Sequence, residues 1–184
     1  INSPSNPTGS LYTEDTLRQF AEIIVRHDLY CMSDEIYEHL LYDGEKHASI
    51  ASFGPEIFER TIVVNGVSKA FAMTGWRIGY IGAAAKIAKA ISTVQSQATH
   101  HPANASQFAS IAALDGGLES VETMGVEFVK RRDFVVSELR SIEGVQIPTP
   151  KGAFYAFPDV STYMGKSVNG KKIEGSIDLC AYLL

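Results

Sequence analysis

This sequence predicts an α/β fold: a mostly parallel sheet flanked by helices, followed by the start of an α+β unit. Three observations predict it. Short apolar runs at Leu29–Ser33, Thr61–Val64 and Ile78–Gly82 have the length of buried strands, helical repeats alternate with them, and the pattern changes character after Ile142.

The chain opens on a Pro- and Gly-punctuated turn, Asn2-Ser3-Pro4-Ser5-Asn6-Pro7-Thr8-Gly9. An X-Pro bond costs only about 0.5–1 kcal/mol to turn cis, so Asn6–Pro7 is a candidate for one. Leu17, Phe20, Ala21, Ile24 and Val25 then recur at helical spacing, with Thr13, Thr16 and nearby acids marking the start. Leu29–Ser33 reads as a buried strand running into Asp34. Asp43–Pro55 is loop-like, and Ile57–Arg60 leads into the second strand, Thr61–Val64, which ends near Lys69. After the third strand, Ala84–Gln97 places Ile87, Ala90, Ile91 and Val94 on one helical face, and Ala105–Leu114 forms another apolar helix. The long pattern Leu118–Ile142 suits a connector, so a boundary falls near Gly125. Residues 1–124 are then part of a large domain, and 125–184 a connector helix and the start of a small one. Val145–Ile147, Ala153–Phe157 and a closing helix over Ile177–Leu184 make the α+β section, with Lys166–Gly175 a polar loop.

Composition narrows the function. A chain of 184 residues, 45% hydrophobic, can bury a substantial core. A net charge of -5 leaves no basic stripe for nucleic acid and no polybasic segment for an anionic membrane, and no stretch has the length of a membrane span. Small metabolites are the expected partners. Cys31 and Cys180 are far apart and lie in apolar runs, which indicates neither a disulfide framework nor a zinc site and suits the reducing cytoplasm. His100 and His101 are adjacent, face apart, and have no spaced carboxylate or thiol to join them as metal ligands.

The chemistry concentrates at strand ends. In alternating β/α chains these point into the crevice where ligands bind, and a Lys there can condense with a carbonyl. Lys69 occupies such a position, and Arg77, eight residues on, offers a planar fork suited to phosphate. Asp34 ends the preceding strand, while Glu35 points to the other side of the same extended backbone. Trp76 reads as a packing residue.

The run Ser68-Lys69-(six residues)-Trp76-Arg77-Ile78-Gly79 resembles the lysine motif of class I/II aminotransferases in the aspartate aminotransferase superfamily, fold-type I pyridoxal-phosphate enzymes. Asn2–Gly9 resembles that family's Asn-Pro-x-Gly turn, Asp34-Glu35-Ile36-Tyr37 its Asp-Glu-x-Tyr strand end, and Lys151-Gly152-Ala153-Phe154-Tyr155 the strand opening its small domain. The order matches, and the chain is similar to an internal segment of a protein about twice as long.

The resemblance implies pyridoxal 5'-phosphate as cofactor, an amino acid and a 2-oxo acid as substrates, and a homodimer in the full-length protein. It assigns the covalent and proton-transferring amine to Lys69, the ring-nitrogen partner to Asp34, hydroxyl and amide donors to the phenolic oxygen to Tyr37 and Asn6, and phosphate contacts to Arg77 and Ser68. A hydroxyl is common in the family three residues before the Lys, where this chain has Gly66. The family's ring-stacking aromatic, its Gly-rich phosphate turn and the Arg for the substrate carboxylate have no counterpart in this chain. An aspartate-like donor is the expected substrate. The same fold also carries C–S lyases, cyclopropane-forming synthases and cofactor-sensing regulatory domains, and an inactive fragment is a further alternative.

Overall fold

The computed structural model describes all 184 residues, and its first helix begins where sequence places it. The helix α1 (Glu14–Arg26) is capped by Thr13, whose side-chain oxygen accepts a hydrogen bond from the Thr16 amide. Acids at Glu14 and Asp15 face the positive end of the helix dipole. Its buried stripe packs on the strand β1 (Cys31–Asp34): Ala21, Cys31, Ile50 and Ile57 form one core cluster, with Phe20, Ile24, Val25 and Phe53 against it. A single-turn helix α2 (Pro55–Phe58) then feeds β2 (Thr61–Gly66).

β1 and β2 pair in parallel, Cys31 opposite Thr61 through Asp34 opposite Val64. The third strand, β3 (Gly79–Ala83), lies on the other side of β2 and runs antiparallel, with Gly66 opposite Gly79. The sheet is therefore mixed, order β1-β2-β3, and Asn2 adds a parallel bridge to Asp34 on the free edge of β1. The antiparallel turn follows from the link: Val67–Ile78 contains no helix long enough to cross the sheet, so the chain returns beside the strand it left.

Helices α3 (Ala85–Ala98), α4 (Asn104–Asp115) and α5 (Glu119–Ser141) follow, α5 continuing unbroken through Gly125. Val94, Phe108, Ile111 and Leu114 of α3 and α4 are largely exposed. None of the helices is long and apolar enough to cross a membrane.

Beyond α5 the structure departs from expectation. Val145–Ile147 and Ala153–Phe157 form no ladder; only isolated bridges occur, Gln146 with Asp159 and Leu41 with Gly152. A pair of extended segments without further strands is marginal, and here single bridges hold them: Ala153 and Leu40, Tyr42 and Lys151, and Gln146 and Asp159 are joined by backbone hydrogen bonds. Lys166–Gly175 is not a plain loop: β4 (Ser167–Val168) and β5 (Lys171–Lys172) close a two-residue hairpin whose Asn169 and Gly170 both have positive φ, the turn that Asn-Gly favours. The closing helix α6 (Ser176–Leu183) is present. Trp76 is 46% exposed rather than core.

The two ends of this arrangement are tied together. The Gly9 carbonyl accepts from the amides of Lys151 and Gly152, at 2.8 and 3.1 Å. Ser3–Pro4 and Asn6–Pro7 are both cis. Arg132 of α5, almost fully buried, donates to both carboxylate oxygens of Asp43 (2.6 and 2.9 Å) and lies over the Tyr42 ring. The Tyr42 hydroxyl donates to the Ala153 carbonyl, and burial pushes its pKa up to about 12.

A methyl group on Gly152 would sit 2.7 Å from Pro4 Cγ and 2.8 Å from the Leu40 carbonyl oxygen. Neither neighbour is the loose end of a long side chain. Gly152→Ala is therefore expected to cost about 1–3 kcal/mol in denaturant unfolding of the full-length protein.

Candidate active site

Strand pairing brings the chemistry-bearing residues to one edge of the sheet. β1 ends at Asp34, β2 runs out through Gly66 towards Lys69, and antiparallel β3 begins at Gly79, so Arg77 lies at that edge too. On the far side of β1 the N-terminal turn is held by a cluster around Asp34: its amide donates to the Ile1 carbonyl (3.0 Å), and its carbonyl accepts from Asn2 Nδ2 and the Ser3 amide (3.1 and 3.3 Å). Asn2 Oδ1 in turn accepts from the Asn6 amide at 2.7 Å. Asn6 thus stands beyond the end of β1, exposed, with its backbone fixed and its side-chain amide free of partners within the chain.

Asp34 is half-buried, and its Oδ1 accepts from the Ile36 amide at 3.2 Å. Tyr37 follows in a tight turn and is 3% exposed. Its ring meets Phe154 and Tyr155 edge-on, at 5.4 and 5.6 Å between centroids, and its hydroxyl shares a hydrogen bond with that of Tyr155. Burial first, then the Tyr155 contact and the nearby Asp34 charge, holds the Tyr37 phenol well above its ordinary range, so it is a neutral donor at physiological pH.

Lys69 sits in the turn after β2, between the buried pegs Val67 and Ala70. That anchoring aims its side chain across the sheet edge: Nζ lies 5.9 Å from the Tyr37 ring centroid and 5.7 Å from that of Phe154, which α5 backs through Phe128 stacked at 5.7 Å. Cation–π contact of this kind is worth about 0.5–1 kcal/mol at partly exposed sites, enough to orient the side chain. Ser68 beside it is half-buried. Arg77 is exposed, adopts a left-handed backbone (φ 56°) and donates only to the Thr74 carbonyl, at 3.0 Å. Its fork is otherwise open to an anion.

Gly66, where a hydroxyl was expected, is explained by packing. A Cβ there would lie 2.8 Å from the Ile78 carbonyl oxygen and 3.1 Å from Gly79 Cα, so the crossing of β2 and β3 excludes any side chain.

Sequence reasoning missed the pocket behind Asp34. Glu35, 3% exposed, accepts from the hydroxyls of Ser33 and Ser49 (both 2.8 Å), and its other oxygen meets His47 Nε2 at 2.9 Å. The alternation of a strand shows Glu35 turning away from Asp34, but Ser49 and His47 come from a loop whose path the sequence does not specify. Phe154 and Tyr155 belong to the stretch that resembles the opening strand of a small domain, and here Phe154 forms a wall against Lys69.

This donor set fits pyridoxal 5'-phosphate: an amine, a carboxylate, a phenol and a guanidinium share one edge, and no ion pair within 4 Å ties up Lys69, Asp34 or Arg77. A family model described as aminotransferase class I and II matches residues 1–174. The chain belongs to that family. Similarity to individual aminotransferases is extensive: 48% identity to the aspartate aminotransferase of Pinus pinaster over 99% of this chain and 38% of that protein. To a bifunctional aspartate aminotransferase and glutamate/aspartate-prephenate aminotransferase of Petunia hybrida it is 50% identical, over 99% and 39%. The crystal structure of the aspartate aminotransferase from Rhizobium meliloti superposes with a TM-score of 0.95 at 44% identity, covering 100% of this chain and 46% of that one. The architecture is thus an α/β fragment of the fold-type I large domain, and this chain spans less than half the length of those relatives.

The Glu35 pocket has a pH signature. Burial alone pushes the Glu35 carboxyl up, but the bonds from His47, Ser33 and Ser49 with the His47 charge outweigh it, leaving it below its ordinary range. A depressed carboxyl contributes stability above its unfolded pKa and loses it as pH falls through the folded value. Glu35→Gln in the full-length protein is expected to lower stability at neutral pH by about 1.5–3 kcal/mol, as for lost hydrogen bonds to a buried charged group. Its stability is expected to fall less steeply than wild type between about pH 5 and pH 3 in chemical denaturation.

Proposed function

We propose that this chain carries the lysine-bearing half of the active site of a pyridoxal-phosphate-dependent aminotransferase that moves an amino group from an aspartate-like amino acid to a 2-oxo acid. One observation carries the reading most: the Lys69 amine lies against Tyr37 and Phe154 at the same sheet edge as the carboxylate of Asp34. Pyridoxal 5'-phosphate, when bound, supplies an electron sink for charge developing on the substrate α-carbon.

The residues divide the remaining work. Asp34 accepts a hydrogen bond from a protonated ring nitrogen and holds that proton in place, a charge-assisted contact worth more than a neutral one. Tyr37, kept neutral, would donate to the phenolic oxygen, and Asn6 would donate to the same atom. Arg77 holds the phosphate as a fork, with Ser68 beside it. Lys69 would hold the cofactor covalently and, as a free amine, would carry a proton to and from the substrate α-carbon. The division of the chain into residues 1–124 and 125–184 belongs to this reading, as do a homodimer in the full-length protein and the exposed apolar faces of α3 and α4 as part of what it covers. The free thiols of Cys31 and Cys180 suit the cytoplasm.

The test uses full-length protein. Lys69→Ala is expected to abolish the long-wavelength absorbance of covalently held cofactor and to lower kcat by at least about 10²–10⁴-fold. Asp34→Asn is expected to keep that absorbance while lowering kcat about 10–10²-fold, the loss of one charge-assisted bond. Retention of the covalent band in Lys69→Ala would remove the assignment.

A further inference from the structure

We infer that Tyr155 is a positioning residue for the proposed reaction: its hydroxyl donates to the Tyr37 oxygen and so directs the Tyr37 proton outward, to the phenolic oxygen of the cofactor. The inference rests on the reading of the site given above and adds to it a hydrogen-bond relay that starts 118 residues further along the chain.

Geometry carries it. Tyr37 and Tyr155 share one hydroxyl–hydroxyl bond, and either oxygen could be the donor within that pair. Each hydroxyl has a single proton. When Tyr37 spends its proton on an external oxygen, the bond to Tyr155 persists only if Tyr155 donates. No other protein group bonds the Tyr37 hydroxyl, so Tyr155 alone decides its orientation. A phenol that accepts one hydrogen bond becomes a better donor in the next, and buried chains strengthen by roughly 10–30% per bond.

The surroundings make the pair rigid. The two tyrosine rings meet at 83°, Phe154 packs on both, and Phe128 of α5 backs Phe154. Ala153, next in the chain, is fully buried and its carbonyl accepts from Tyr42. The segment holding Tyr155 is therefore fixed to the same body that holds Tyr37, and Lys69 Nζ lies over the Tyr37 ring. A competing role is the reverse polarity, in which Tyr155 accepts the Tyr37 proton and withholds it from the cofactor.

The two polarities move one observable in opposite directions. Donation to the phenolic oxygen lowers the basicity of the neighbouring nitrogen that joins the cofactor to Lys69, so anything that weakens it raises the pH midpoint of the cofactor's absorption band. Full-length Tyr155→Phe keeps the ring packing and removes only the hydroxyl. The midpoint is expected to rise by about 0.3–0.5 pH unit. Tyr37→Phe is expected to raise it by about 1–2 units. In the double variant, Tyr155→Phe should add nothing to Tyr37→Phe, because the relay passes through one oxygen. An unmoved or lowered midpoint in Tyr155→Phe, or an equal shift on both backgrounds, overturns the relay. Absence of a Lys69-dependent band in wild-type protein overturns the parent reading instead, and with it this one. Thermal unfolding of each variant, expected within a few degrees of wild type, separates a lost relay from a lost fold; Tyr155→Phe whose midpoint shift tracks a collapse in stability counts against it.

Discussion

The parallel register of β1 on β2 is the constraint on which the site depends. With Asp34 opposite Val64, the first strand delivers its carboxylate at the edge where the second strand turns out to Lys69. A one-residue slip would reverse every side chain on β1, carrying Glu35 to the ligand side and Asp34 into the polar pocket behind it. That pocket opposes the slip. Ser33, Ser49 and His47 are arranged around a carboxylate one methylene longer than that of Asp34, and a buried carboxylate is tolerated only where its oxygens are this fully bonded. Glu35 thus acts as the register pin for its neighbour, without touching the proposed chemistry.

The second constraint is aromatic. Tyr37, Phe154, Tyr155 and Phe128 come from the end of β1, the stretch after Pro150 and the long helix α5, and they meet in one cluster. This cluster adds to the single backbone bridge, Leu41 with Gly152, that holds the start of the Ala153–Phe157 stretch. It also gives Lys69 an apolar wall carrying negative π-faces, which orient a cation while leaving its nitrogen free of any carboxylate.

Much of this was legible beforehand, and the rest was hidden for physical reasons. Helix α1 announced itself through Thr13 and its apolar spacing, and the strand ends at Asp34 and near Lys69 through short apolar runs broken by charge. Those signals are local. The direction of β3 was not visible, because an apolar pentapeptide reads the same way whichever neighbour it pairs with; the length of its connecting loop settles it. Asn169-Gly170 did carry a hairpin signal, passed over amid lysines and glycines. The Glu35 pocket and the Tyr37–Tyr155 contact depend on residues up to 118 positions apart, and no periodicity encodes such meetings. Gly66 looked like a departure from pattern, and became intelligible only with Ile78 and Gly79 packed across it.

The hydrogen bonds from Lys151 and Gly152 to the Gly9 carbonyl have a mechanical consequence. Together with the Tyr42–Ala153 contact and the hold of Arg132 on Asp43 and the Pro150 carbonyl, they weld the stretch from Pro150 to Tyr155 onto the sheet-bearing body, although it follows the connector helix in the chain. Closure over a substrate by the later residues would therefore hinge beyond Tyr155. The aromatic wall would stay still, as a doorpost does, while whatever is hung from it swings.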